Sequence, residues 1–109
     1  MTIVFEMNGQ QFVALNGGSG FPFTNAVSLV VNCESQEEID RLWNKLTADG
    51  GEESQCGWLK DKFGLSWQIV PTRLMQMIQD KDPKRSQRAM EAMLKMKKFD
   101  IAKLEEAYR

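Results

Sequence analysis

The stretch AVSLVVNCESQEEIDRLWNKL, Ala26 to Leu46, changes its hydrophobic period halfway along. Up to Cys33 the period is two, with Val27, Leu29, Val31 and Cys33 on one side, as in a strand with one drier face. From Ile39 it becomes helical, because Ile39, Leu42, Trp43 and Leu46 fall on one face. The switch sits at Ser35. A serine three residues before Glu38 makes a capping box, and Glu37 and Glu38 suit the positive end of a helix dipole. Gly50-Gly51 stops the helix. A strand therefore leads directly into a capped helix.

On the carboxyl side, SQCGWLK and LSWQIV flank a turn at Asp61 to Gly64 and predict a hairpin ended by Pro71. Leu65, Trp67 and Ile69 line one face of its second strand, and Ser66, Gln68 and Val70 line the other. Pairing Lys60 with Leu65 sets Trp58 opposite Trp67 on the helix-packed side. It also leaves Gly57 open above Gln68. Helices follow. Thr72 caps a short one through Ile78, and Asp82-Pro83 opens another that carries Ala89, Met90, Met93, Leu94 and Lys97 along one side. Asp100 caps a last short helix with Ile101, Leu104 and Tyr108 inward.

On the amino side, IVFEMNGQQFVAL has β-forming residues on both sides of Asn8-Gly9, which accepts the positive φ angles of a type I′ hairpin turn. NGGSGFPF follows as a loop. It lies between two strands rather than between strand and helix, so it is not the glycine-rich turn of a nucleotide-binding sheet. Aligning Gly9 with Gly64 pairs Phe12 with Trp67, an echo of one hairpin in the other.

The bulk composition narrows the function classes. At 109 residues the chain holds one modest core, and its net charge of -1 gives no drive toward nucleic acid or anionic membrane. The tail from Lys81 to Lys103 is basic, but aromatic residues do not alternate with its bases as a run of stacking platforms would, Phe99 being its one aromatic. That tail reads as a solvated helix face, and the stretch from Glu34 to Glu53 holds seven carboxylates against Arg41 and Lys45. No apolar run approaches the roughly 20 residues of a membrane span. The amino end lacks a signal peptide's basic head and apolar core, so a cytoplasmic protein is expected. Cys33 and Cys56 are expected to be buried free thiols. There is no histidine at all. That removes the commonest general base and the commonest transition-metal ligand together, and no cofactor is expected.

AVSLVVNCESQEEIDRLWNKL, followed by GGEESQCGWLKDKFGLSWQIVP, resembles the second βαβββ module of the vicinal-oxygen-chelate (glyoxalase/bleomycin-resistance/dioxygenase) superfamily. The CGW.KD.FG.SWQ.VP pattern and the closing AMLKMKKFDIAKLEEAY resemble its 3-demethylubiquinone methyltransferase-like, or PhnB-like, subfamily. The resemblance runs over nearly the whole chain. It implies an α+β fold, with residues 1–18 as a remnant hairpin of module one, 26–71 as module two and 72–109 as C-terminal helices. The first strand-helix-strand of module one is absent from the resemblance. Two such modules form a cup whose floor carries the site. The histidine that metal-using relatives place early in a module falls at Ala26, their strand-end glutamate at Gln68, and Val13 takes the equivalent place in module one. No metal site is therefore expected.

The expectation is a small-molecule-binding domain, with Ser28, Gln68 and Gly57 lining the ligand side, working as a homodimer without nucleic acid or membrane. The alternative is a non-catalytic dimeric assembly, or a truncated homologue with no working site. The hairpin would otherwise lack flanking strands, and its open edge invites a second chain.

Overall fold

A computed structural model describes residues 1–18 and 20–109. The expected loop Asn16–Phe23 contains Ser19, which lies outside the described residues. The elements run β1 (Thr2–Met7), β2 (Gln10–Leu15), β3 (Ser28–Cys33), α1 (Gln36–Thr47), β4 (Glu52–Glu53), β5 (Trp58–Lys60), β6 (Ser66–Pro71), α2 (Thr72–Ile78), α3 (Pro83–Leu94) and α4 (Ile101–Tyr108). The molecule is α+β, as expected.

β3, β6, β5 and β4 form one sheet in that order. β3 runs parallel to β6, and the other pairs are antiparallel. This is a βαβββ unit with α1 on one face. The helix starts where the capping box places it, with Ser35 Oγ accepting from the Glu38 amide at 3.2 Å. The Glu38 carboxylate reaches back to the Glu34 amide rather than to that of Ser35. Cys33, Ile39, Trp43, Leu59 and Ile69 form the core between α1 and the sheet. Trp43 is buried and donates its indole N–H to Glu53 Oε1 at 2.7 Å, which satisfies its one polar atom.

A second core lies among the C-terminal helices: Leu74, Met77, Ala89, Phe99, Leu104 and Tyr108, with Val70 of β6 against it. Gln36 ties the two cores. Its side-chain NH₂ donates to the Phe99 carbonyl at 2.9 Å, and its Oε1 accepts from the Ile101 amide at 2.7 Å. Lys98 bridges to Asp40 of α1 at 2.8 Å beside it.

β1 and β2 form a separate two-stranded hairpin. Its turn holds Asn8 and Gly9 at φ +50° and +84°, the conformation a type I′ turn requires. Phe5 stacks on Phe12 with centroids 5.5 Å apart. Ile3, Val4, Val13 and Leu15 are exposed.

Several expectations are corrected. The β5–β6 register is one residue from the expected one: Trp58 opposes Gln68, Leu59 opposes Trp67 and Lys60 opposes Ser66. The cause is the turn. Asp61 pairs with Leu65 through its own amide at 2.9 Å, while its carboxylate accepts from the amides of Phe63 and Leu65. That Asx arrangement places Asp61, not Lys60, opposite Leu65. Trp58 consequently lies on the face away from α1, and Leu59 takes its place in the helix-side core. Gly57 does not stand above Gln68. Its carbonyl accepts from the Ile69 amide, and its Cα packs under Phe99, where a Cβ would come within 2.4 Å of the ring.

Thr72 is the first residue of α2 rather than its cap, and its hydroxyl turns to Glu34 at 3.2 Å. α3 stops at Leu94, so Lys97 is off the helix, and Met90 and Leu94 are exposed rather than inward. Val27 is exposed ahead of β3. Cys33 is buried, but Cys56 is only half-buried. The two-residue β4 is an element the periodicity does not show.

Candidate functional site

The face of the sheet away from α1 carries Ser28, Val30 and Asn32 from β3, Ser66, Gln68 and Val70 from β6, and Trp58 from β5. Parallel pairing sets Ser28 beside Ser66 and Val30 beside Gln68. The C-terminal helices cover the Val70 end of this face. At the other end the polar residues meet, with Ser66 buried and Ser28, Gln68 and Trp58 half-buried. Gln68 Nε2 donates to Ser28 Oγ at 2.9 Å, and Ser66 Oγ donates to Asn25 Oδ1 at 3.2 Å.

Ser28 and Gln68, both expected on the ligand side, lie on one face and are joined by this bond. Gly57 is not part of the group, and Trp58 takes its place beside Gln68. Asn25, Ser66 and Trp58 escape the sequence reading. The signal that finds Trp58 is Asp61, whose side chain is the natural start of an Asx turn and shifts the hairpin register by one residue.

The chemistry available follows from these groups. Gln68 Oε1 makes no hydrogen bond among the described residues and remains an acceptor. Ser28, accepting from Gln68, keeps its own O–H to donate. One donor and one acceptor side by side suit a ligand hydroxyl or carboxyl. No strong base or activated nucleophile joins them. The buried thiol of Cys33 lies on the other face, where burial, helped by Glu38, pushes it up to about 11. A thiol so disfavoured in its anionic form is a poor nucleophile at neutral pH.

The positions of Ala26 and Gln68 do not fit a transition metal. Ala26 has no donor atom, and Gln68 offers an uncharged amide without an imidazole or carboxylate beside it. Among the described residues no three His, Cys, Asp or Glu side chains converge. A lone amide oxygen is a weak ligand for a transition metal.

A family model described as 3-demethylubiquinone-9 3-methyltransferase matches residues 1–70, which contain the hairpin and nearly all of the βαβββ unit. The chain belongs to this family. The matched span ends at Val70, so it does not include the closing AMLKMKKFDIAKLEEAY that the sequence reading joins to the resemblance. A solved Bacillus cereus protein described as a 3-demethylubiquinone-9 3-methyltransferase, PhnB protein, is similar at 36% identity with a TM-score of 0.60. The similarity covers 66% of this chain and 64% of that one, so less than two thirds of the relative is represented here. A Pseudomonas aeruginosa protein shares the fold at 19% identity and a TM-score of 0.53, over 65% of this chain and 62% of that one. No curated protein matches. The chain is thus a PhnB-like member of the glyoxalase-fold group. Among its described residues no helix is long and apolar enough to cross a membrane.

Proposed function

We propose that this family member binds a small hydroxylated or carboxylated molecule on the open face of its sheet, as a homodimer and without a histidine-based metal site. The observation that carries the reading is the 2.9 Å bond from Gln68 to Ser28. It fixes both side chains while leaving one acceptor and one donor without a partner among the described residues. Trp58, across the β5–β6 ladder from Gln68, gives the site an aromatic wall. Methyl transfer, the reaction in the family's description, is not assigned: the Ser28–Gln68 group holds no acid–base side chain, and no strand–glycine turn–helix unit for a nucleotide-like donor occurs among the described residues.

The test is a thermal-shift and calorimetry screen of small hydroxy acids and hydroxylated aromatics. A ligand present at 100 times its Kd stabilises the fold by about 2.7 kcal/mol, which a melting curve resolves. The expected result is at least one stabilising compound whose effect is lost in Gln68→Ala and Ser28→Ala. Stabilisation that survives both substitutions would place the site elsewhere. Stoichiometric metal in protein purified without added metal would overturn the metal-free reading.

A further inference from the structure

A groove of 680 Å³ opens between α1 and the hairpin, following β3 from Leu29 to Asn32 along the edge of the sheet. Neither Ser28 nor Gln68 lines it, so it is a second concavity, independent of the polar pair described above. Its volume lies within the roughly 300–1,000 Å³ of small-molecule sites.

The chain builds all three walls. Strand alternation puts Phe5, Met7, Gln10 and Phe12 on one face of the hairpin, and the last three of these line the groove. Among the hairpin's strand residues Phe12 alone is half-buried, and the rest are exposed. Leu42 and Leu46, one turn apart, form the helix wall. They carry the apolar stripe of Ile39 and Trp43 past the edge of the sheet and stay half-buried there. Leu29 and its register partner Trp67 form the third wall. The Trp67 indole N–H is already given to Asp61 at 2.9 Å, so its ring offers the groove apolar surface only.

Two charged side chains stand on the helix wall, Glu38 and Arg41. Glu38 is engaged, its carboxylate accepting from the Glu34 amide at 3.4 Å. Arg41 is exposed and makes no ion pair among the described residues. A guanidinium presents a planar fork of donors that matches a carboxylate with two parallel bonds. Glu38 limits the charge that can join it, because a second negative charge, as on a phosphate, would meet that carboxylate.

We infer that this groove binds an apolar monocarboxylate of the fatty-acid class. Its carboxylate pairs with Arg41, and its chain lies between Phe12 of the hairpin and Leu42 and Leu46 of α1. The apolar walls select the chain and the one unpaired cation selects the head. Because such a ligand touches both the hairpin and the βαβββ unit, its binding also ties the two together.

Calorimetry of the full chain with octanoate and with 1-octanol, which differ in the charged head, tests this. One octanoate should bind per chain, roughly tenfold tighter than the alcohol. Arg41→Gln, a change at an exposed position, should remove that advantage and leave the alcohol unaffected. Phe12→Ala should weaken both compounds, and Gln68→Ala neither, with circular dichroism confirming that each variant is folded. At one fixed protein concentration, saturating octanoate should slow amide exchange in residues 10–15. The site is overturned if octanoate does not bind, if acid and alcohol bind alike, or if either Arg41→Gln or Phe12→Ala leaves octanoate affinity unaltered. Loss of octanoate binding in Gln68→Ala would place the acid on the other face and overturn it as well. Failure of the groove leaves the Ser28–Gln68 reading standing, since that pair forms no part of it.

Discussion

Trp43 and Gln68 show how differently two conspicuous residues of one module are used. Trp43 lies fully inside the core between α1 and the sheet, its indole N–H satisfied by Glu53. Trp43→Ala should cost about 3–5 kcal/mol, the range for removing a large aromatic whose cavity cannot collapse. Gln68 is half-buried and makes one side-chain hydrogen bond, to Ser28. Gln68→Ala should cost about 1 kcal/mol or less in stability. Urea melts of the two variants check the contrast, and equal losses would contradict it. That Ser28 and Gln68 point to the same face was legible in the sequence, because it follows from strand alternation alone, whereas the bond between them was not. The neighbours of Gln68 were not, because they depend on the hairpin register. One carboxylate, that of Asp61, sets that register by capturing the amides of Phe63 and Leu65. A single-residue slip moved Trp58 to the open face and put Gly57 under Phe99.

The C-terminal helices hold together through α4 docking its last aromatic ring between charged side chains. Arg85 lies 4.1 Å and Arg73 5.2 Å from the ring centroid of Tyr108, whose hydroxyl donates to Asp80 beyond α2. Arg73 also pairs with Glu105 at 2.7 Å. The bond from Tyr108, with the Asp82 amide and nearby Arg85, holds the Asp80 carboxyl below its ordinary range. The same bond, with burial, holds the Tyr108 hydroxyl above its own. A lowered carboxyl stabilises the fold above its unfolded value of about 3.9, and that contribution is lost as pH falls through the folded value. A raised hydroxyl stabilises below about 10 and loses its contribution as pH rises further. Tyr108→Phe keeps the ring under both guanidiniums but removes the bond. Its unfolding free energy should therefore lie closest to wild type at the acid and alkaline ends and furthest below it between them, measured by urea melts across pH. A constant gap at every pH would show that the bond contributes no linkage. Element starts were more legible than element ends in this region. Asp82 and Asp100 each cap a helix as their side chains suggest, accepting from Lys84 and Lys103. α3 nevertheless stops at Leu94, because the chain beyond it leaves helical geometry so that the carbonyls of Met96 and Lys97 can accept from Cys56 and Gly57. That long-range pairing leaves no mark on local periodicity.

At the scale of the whole molecule, the chain extends over 52 × 28 × 25 Å, long for its size, with two packed cores and a hairpin that belongs to neither. The two cores explain themselves: α1 closes one side of the sheet, the C-terminal helices close part of the other, and Gln36 ties them. The hairpin does not, since its ladder closes on itself and leaves apolar side chains in water on both faces. An element whose stability is not backed by packing opens at almost no free-energy cost, whereas amides in β3, β6 and α1 open only with the module. Hydrogen exchange on the full chain should therefore separate the two. At protein concentrations low enough to hold the monomer, amides of residues 2–7 and 10–15 should exchange close to the unfolded rate, while those of β6 and α1 stay protected. If the chain forms the homodimer proposed above with its exposed hairpin in the contact, raising the concentration should slow hairpin exchange in step with dimer formation. Hairpin amides that stay protected regardless of concentration would mean that the hairpin is held within its own chain, and that the apolar surface it exposes is matched by its own fold rather than by a second copy.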